Sequence, residues 1–215
     1  MKSILEGKDW QHYIERKNPL YIFILSTISH GPMMDKITGA GFRDAIFTYS
    51  NGMGIMYHTK KEQEDIQSYF MKLIKSHSPK LGEWYNKAIK KNRESDKLSK
   101  AYIKNKYEIN KVNYDSFYNH LIETFNYGTV IPYYVLAGIN NLIENKGPIK
   151  DYEKTLHRFE ELRGESKYPL LLTTVLSSYF KKASELLKLE DNSLAECLTP
   201  SELGEVLGGK LKIKR

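Results

Sequence analysis

The chain has 215 residues, 27% of them charged and 40% apolar, with a formal net charge of +7. That balance fits a globular chain able to bury one sizeable core, and the longest apolar runs, such as Leu20 to Leu25, are far too short to span a bilayer. The single cysteine, Cys197, excludes an internal disulfide and a cysteine-based zinc site; with no apolar run of signal-peptide length at the start, the expected compartment is the cytoplasm, with no membrane partner.

In chain order, Trp10, Tyr13 and Ile14 share a face at helical spacing, so residues 1–18 read as a short helix that Pro19 ends. Leu20 to Ser29 is dense in β-branched and aromatic residues and reads most simply as a buried strand, although periodicity alone leaves a helix open. His30-Gly31-Pro32 breaks it, and residues 33–42 read as a loop or short helix with Gly39 and Gly41 near its end. Arg43 to Thr59 is the sharpest local signal. Strand formers flank Asn51-Gly52, the dipeptide best suited to the positive φ of a type I′ turn, and so predict a β-hairpin.

Thr59 and Glu62 have the spacing of a capping box, and Ile66, Tyr69, Phe70, Leu73 and Ile74 follow on one stripe. Ser78-Pro79 predicts a further helix start, with the serine as N-cap and a stripe of Leu81, Trp84, Tyr85, Ala88 and Ile89. That helix continues through a basic segment with a weaker stripe, Leu98, Ala101, Tyr102 and Ile109. Asn113 is the expected N-cap of the next helix, with Tyr114, Phe117, Leu121 and Phe125 on its stripe and Gly128 closing it. Residues 130–145 are apolar around more of the circumference, the pattern of a central helix. After Gly147-Pro148 comes a more polar helix carrying Tyr152, Leu156 and Phe159. Tyr168 to Glu190 is the longest clear helix, with a stripe from Leu172 to Leu187. Thr199-Pro200-Ser201-Glu202 specifies a last short helix stopped by Gly208-Gly209, and the closing Lys-Leu-Lys-Ile-Lys-Arg alternates like an edge strand or connector.

The fold class that follows is α+β and mainly α: a small N-terminal antiparallel sheet with a hairpin, then a multi-helix bundle. Residues 1–196 form one domain, strand-containing over 1–59 and helical over 60–190. Residues 197–215 form a short helix and basic connector toward a downstream domain.

No catalytic motif is legible. The six histidines are scattered, and no pair stands at the i, i+4 spacing that would face one metal. His58 is the exception of interest, lying at a strand end near Glu62; a pocket holding it with Arg43 or Tyr57 is the first place to seek an active site. The glycines at 39 and 41, and at 52 and 54, do not continue into a phosphate-binding motif. Carboxylates such as Glu62 with Asp65 read as solubilising charge, and Cys197 as a buried thiol. The tyrosines on helical stripes read as buried rings with the hydroxyl at a polar edge, against the alternative of base stacking. No cofactor and no metal are expected.

Nearly all the excess charge lies between Asn86 and Lys111, where nine Lys/Arg face three Asp/Glu. Lys87, Lys90, Lys91, Arg93, Lys97, Lys100 and Lys104 form either a solvated helix surface, the favoured reading, or a patch for nucleic acid or an acidic protein partner.

Two stretches carry a family resemblance. Trp10, Arg16 and Pro19-Leu20 at the start, and Leu198-Thr-Pro-Ser-Glu-Leu followed by Val206-Leu207-Gly208-Gly209 at the end, resemble phosphoenolpyruvate-utilising proteins related to phosphoenolpyruvate synthase. The matching region is the helical segment that precedes the swivelling phosphohistidine domain. Family members pass a phosphoryl group from ATP to a histidine on that domain. Neither an ATP-grasp domain nor a phosphohistidine motif is present in these 215 residues, so no family catalytic residue maps onto them. What the resemblance implies is a non-catalytic helical scaffold whose partner is a swivelling phosphohistidine domain, in cis or in trans.

Overall fold

Asn51 and Gly52 adopt φ of 51° and 75°, so the hairpin turns as its dipeptide predicts. It joins β2 (Ile46–Ser50) to β3 (Met53–Thr59) in unbroken antiparallel register, Ser50 opposite Met53 and Ile46 opposite Tyr57. The computed structural model describes residues 9–145 and 149–210. The third strand, β1 (Trp10–Lys17), pairs antiparallel with the far side of β3, giving the order β1-β3-β2.

β1 corrects the helix expected over residues 1–18, as far as these are described. A bulge between His12 and Ile14 breaks the register. It also breaks the period-two pattern a strand writes in sequence, and the broken pattern imitates helical spacing at Trp10, Tyr13 and Ile14. The second correction is complementary. Leu20–Ile28 is a helix, α1, rather than a strand, with Pro19 as its N-cap residue instead of the previous helix's end. Tyr21, Phe23, Leu25, Ser26 and Thr27 are all buried. A helix apolar on every side carries no periodic signal to separate it from a buried strand. Its polar groups are handled internally: the Thr27 hydroxyl donates to the Phe23 carbonyl at 3.0 Å.

A kinked turn over Ser29–Met33, with Gly31 outside helical φ/ψ and Pro32 inside, leads into α2 (Met34–Thr38), which Gly39 caps in the left-handed region. After the hairpin come α3 (Lys60–Lys75), α4 (Pro79–Ile103), α5 (Lys111–Phe125) and α6 (Ile131–Glu144). The N-cap of α5 is Asn110, whose side chain accepts from the Asn113 N–H at 2.9 Å, so Asn113 is a helical residue. Gly128 does not end that helix either. A π-turn over Asn126–Val130 carries it into α6, and Gly128 is where Ser166 closes in, 2.8 Å from the place a Cβ would take. The basic helix α4 stops at Ile103, leaving Ile109 in the following loop. Ser78 precedes it as expected but makes no side-chain capping bond.

The chain continues through α7 (Glu153–Glu165), then α8 (Tyr168–Leu171), a π-turn at Leu172–Leu176 and α9 (Ser177–Leu187), the long helix expected from Tyr168 onward. Leu186 departs from its apolar stripe and is exposed. The last helix, α10 (Pro200–Leu207), has the full capping box of Thr199 and Glu202, and ends at Gly208 with Gly209 at positive φ. Gly147-Pro148 and the alternating tail beyond Lys210 lie outside the described residues.

The fold is therefore mainly α, with a small antiparallel sheet at the N-terminal end. Its core is aromatic: Tyr21, Tyr114, Tyr179, Phe23, Phe70, Phe117 and Phe159 are among the largest fully buried side chains. α6 is buried on several sides through Ile131, Tyr134, Val135, Ile139 and Leu142, as a central helix should be. Among the described residues no helix is long and apolar enough to cross a membrane.

Candidate functional site

Three places bring chemistry-bearing side chains together. One is a cleft of about 850 Å³ between α2, the loop 39–44 and the start of α3. Its loop is held by close backbone approach: a Cβ on Gly41 would lie 2.3 Å from the Gly31 carbonyl oxygen and 2.6 Å from the Asp35 nitrogen. The Phe42 N–H donates to the His30 carbonyl across the same contact. The Glu62 carboxylate then fixes the loop end, accepting from the Arg43 and Asp44 backbone N–H groups at 2.9 Å each. The sequence predicts for Glu62 only a place in the Thr59 capping box and a contribution to solubility. Thr59 does cap α3 through the Glu62 N–H, but the carboxylate binds a neighbouring loop. Placed in the first turn of α3, it also meets the positive end of the helix dipole.

Arg43 donates to Asp35 at 2.8 Å, and Asp35, ahead of its Coulombic attraction, supplies the hydrogen bond that raises the guanidinium pKa further. Tyr69 closes the back wall by donating to the Thr38 carbonyl. Asp9, Asp44, Glu64 and Asp65 also line the cleft, against Lys60 and Lys61, so acidic groups outnumber basic ones on a chain that is positive overall.

Arg43, Tyr57 and His58 do not converge. Arg43 lines the cleft. Tyr57 is on the sheet's outer face beside His12, with ring centroids 5.8 Å apart. His58 faces inward, 0% exposed, stacked on Phe42 at 4.4 Å and edge-on to Tyr13 at 4.5 Å. Alternation along β3 explains the split, since adjacent strand residues face opposite ways. His58 Nδ1 lies 3.0 Å from the Thr59 carbonyl, which only accepts, so the neutral ring carries its proton there. Burial pushes its pKa below the ordinary histidine value, outweighing the Thr59 bond and Glu62. The same core holds a hydrogen-bonded chain in which the Tyr134 hydroxyl meets the Tyr13 hydroxyl at 2.6 Å and His30 Nδ1 at 3.3 Å.

The third place is the seam between α4 and α5. Ser95 Oγ is 2.9 Å from His120 Nε2, and His120 Nδ1 is 3.7 Å from Glu94. The residue types are those of a charge-relay triad. The geometry does not support that chemistry. Ser95 is fully buried, its hydroxyl donates to the Lys91 carbonyl one turn back, and it sits mid-helix, where backbone N–H groups are already bonded and cannot form an oxyanion hole. The group works as a polar lock between helices. Lys91 bridges Glu123 at 2.6 Å and Glu94 at 3.1 Å. Burial first and Lys91 second hold His120 below its usual pKa. Burial alone would raise Glu94, but Lys91, with His120 and Lys90 behind it, brings it below the usual carboxylate value. No spacing in the sequence links Ser95 to His120 across a helix–loop–helix connection; only the packing does.

Part of the basic segment is engaged on the chain itself. Lys90 and Lys91 pair with Glu94, Lys100 with Asp96, and Lys87 reaches the Tyr127 hydroxyl and ring. Among the described residues no ion pair is found for Arg93, Lys97 or Lys104. Other tyrosines follow the buried-ring pattern with bonded hydroxyls, as in Tyr21 with Tyr114 and Tyr107 with Tyr179. Cys197 is exposed, not buried; it ends a short 3₁₀ turn, Asn192–Cys197, on the surface. Among the described residues no group of three or more His, Cys, Asp or Glu side chains is placed to hold a metal ion. Comparisons with protein-family models, curated proteins and solved structures gave no match.

Proposed function

We propose that the chain is a non-catalytic helical scaffold of the phosphoenolpyruvate-synthase type, a mount on which a swivelling phosphohistidine domain docks. The observation that carries this reading is the attachment of α10. That helix lies in the stretch resembling the approach to the swivelling domain. Its first residue is fixed to the core: the buried Tyr114 hydroxyl donates to the Pro200 carbonyl at 2.9 Å while bonding Tyr21 on α1. A capping box holds the helix start, and a glycine pair with Gly209 at positive φ follows its end. The glycines close the helix, with the Gly209 N–H donating to the Val206 carbonyl and the Lys210 N–H to the Glu205 carbonyl, so both helix ends are held, as suits a rigid base for a moving element. The engagement of Ser95, His120, His58 and Tyr134 in internal contacts supports the non-catalytic part of the reading.

The test is a calorimetric titration with a purified phosphohistidine-bearing domain of a phosphoenolpyruvate synthase, alongside an assay for ATP and phosphoenolpyruvate turnover. Saturable binding without turnover by the chain alone is expected. Absence of binding overturns the docking role, and turnover overturns the scaffold role.

A further inference from the structure

We propose that β2 is a pairing edge through which two copies of this chain join, strand against strand about a twofold axis, into one continuous sheet. The order β1-β3-β2 puts β2 at the rim. In a two-residue hairpin the residues flanking the turn exchange hydrogen bonds, and bonded pairs then alternate. Ser50, Thr48 and Ile46 therefore bond to β3, while Phe47 and Tyr49 turn their N–H and C=O groups outward. Among the described residues no loop or turn main-chain group meets those outward groups.

The sheet's two rims differ. β1 carries a bulge at Tyr13 and the charged residues Glu15 and Lys17, features that discourage pairing. β2 reads Ile-Phe-Thr-Tyr-Ser, with no charge, no proline and no bulge, and Phe47 is 50% exposed. An unguarded edge of this kind calls for a partner strand.

The strand is complementary to itself. A twofold axis at Thr48 sets Phe47 opposite Tyr49 of the second copy, and Tyr49 opposite Phe47. Both are outward-bonding positions, so about four main-chain hydrogen bonds form, with an aromatic pair beside each set. A twofold axis also brings residues of like charge together near its centre; β2, having none, incurs no such penalty. One five-residue strand buries less than the ~1,200 Å² of a stable interface, so the association is reversible, at roughly tens of micromolar.

Sedimentation velocity up to about 500 µM, well above the affinity expected for so small an interface, should show two-chain particles at the upper end. Phe47→Lys should leave single chains throughout. Thr48 faces its own copy across the closely spaced, non-hydrogen-bonded pair, about 4.5 Å between Cα atoms, within disulfide reach. In a Cys197→Ser background, Thr48→Cys should therefore cross-link under mild oxidation, while Ser50→Cys, opposite Ile46, should not. A wild-type chain that stays single, a dimer that survives Phe47→Lys, or failure of Thr48→Cys to cross-link overturns the proposal. The cross-link decides the matter if the lysine variant does not fold. None of these measurements involves another protein, so their outcome is separate from that of the scaffold reading.

Discussion

The α4–α5 seam and the sheet end dispose of polar groups in opposite ways. In the seam, Ser95, His120, Thr124, Glu94, Glu123 and Lys91 face one another across two long helices and bond together. At the sheet end a mixed-charge cleft stays open and β2 has outward-facing main-chain groups, while the cluster of Tyr13, His30 and Tyr134 is bonded within the fold. A residue type that suggests catalysis is therefore weak evidence by itself. Ser, His and Glu occur together in the seam as a fastening, while the open cleft gathers carboxylates and lysines with no histidine among its lining.

The comparison can be broken hardest at the loop that frames the cleft. Gly41→Ala should cost about 3 kcal/mol, the upper range for overpacking, because the new methyl meets main-chain atoms of Gly31 and Asp35 that cannot rotate away. A urea melt reads this directly; an unchanged midpoint would show that the loop does not hold the cleft. Next is Tyr134→Phe, which strips a hydroxyl bonded to the partly buried Tyr13 and the buried His30 and should cost about 2 kcal/mol. Tyr133→Phe, on the exposed neighbouring ring, should cost almost nothing in the same assay.

Acid sharpens the contrast further. His58 and His120 both have folded-state pKa values lowered by burial, so the unfolded chain takes up protons first as pH falls. The stability tied to their neutral forms is complete above the unfolded value, about 6.5, and is lost progressively as pH falls from there toward the lowered folded values. Urea midpoints should fall between pH 7.5 and 5.5, and His58→Phe should flatten part of that slope. A midpoint that rises on acidification contradicts the assignment. A more modest loss is expected at Lys91→Ala, about 1 kcal/mol for a partly buried pair. Its clearer signature is an upward move of the His120 pKa in an NMR titration, since Lys91 holds it down.

Much of the bundle was legible because its signals are local. Asn51-Gly52, the Thr199–Glu202 box and the stripes of α3 and α5 each act within a few residues, and each forms as read; the stripe of α9 forms apart from Leu186, which is exposed. What was misread depended on partners distant in sequence. β1 is a strand because β3 lies beside it, and its bulge erased the alternation that would have shown this. α1 is a helix apolar around its circumference, which removes the amphipathic mark. Gly128 has the look of a terminator, but Ser166 packs against it and the helix runs on. The grouping of Arg43, Tyr57 and His58 failed because sequence proximity ignores the two faces of a strand. Glu62 was legible as a capping residue, but not as the anchor of the loop at 43–44.

The central claim is that the chain's reactive-type side chains serve its packing. Phosphorus NMR of the purified chain with ATP and phosphoenolpyruvate, followed over hours, tests it most directly. Both compounds should remain intact, for the wild-type chain and for His120→Ala alike. Consumption of either by the wild-type chain, lost in the His120→Ala variant, would contradict the account.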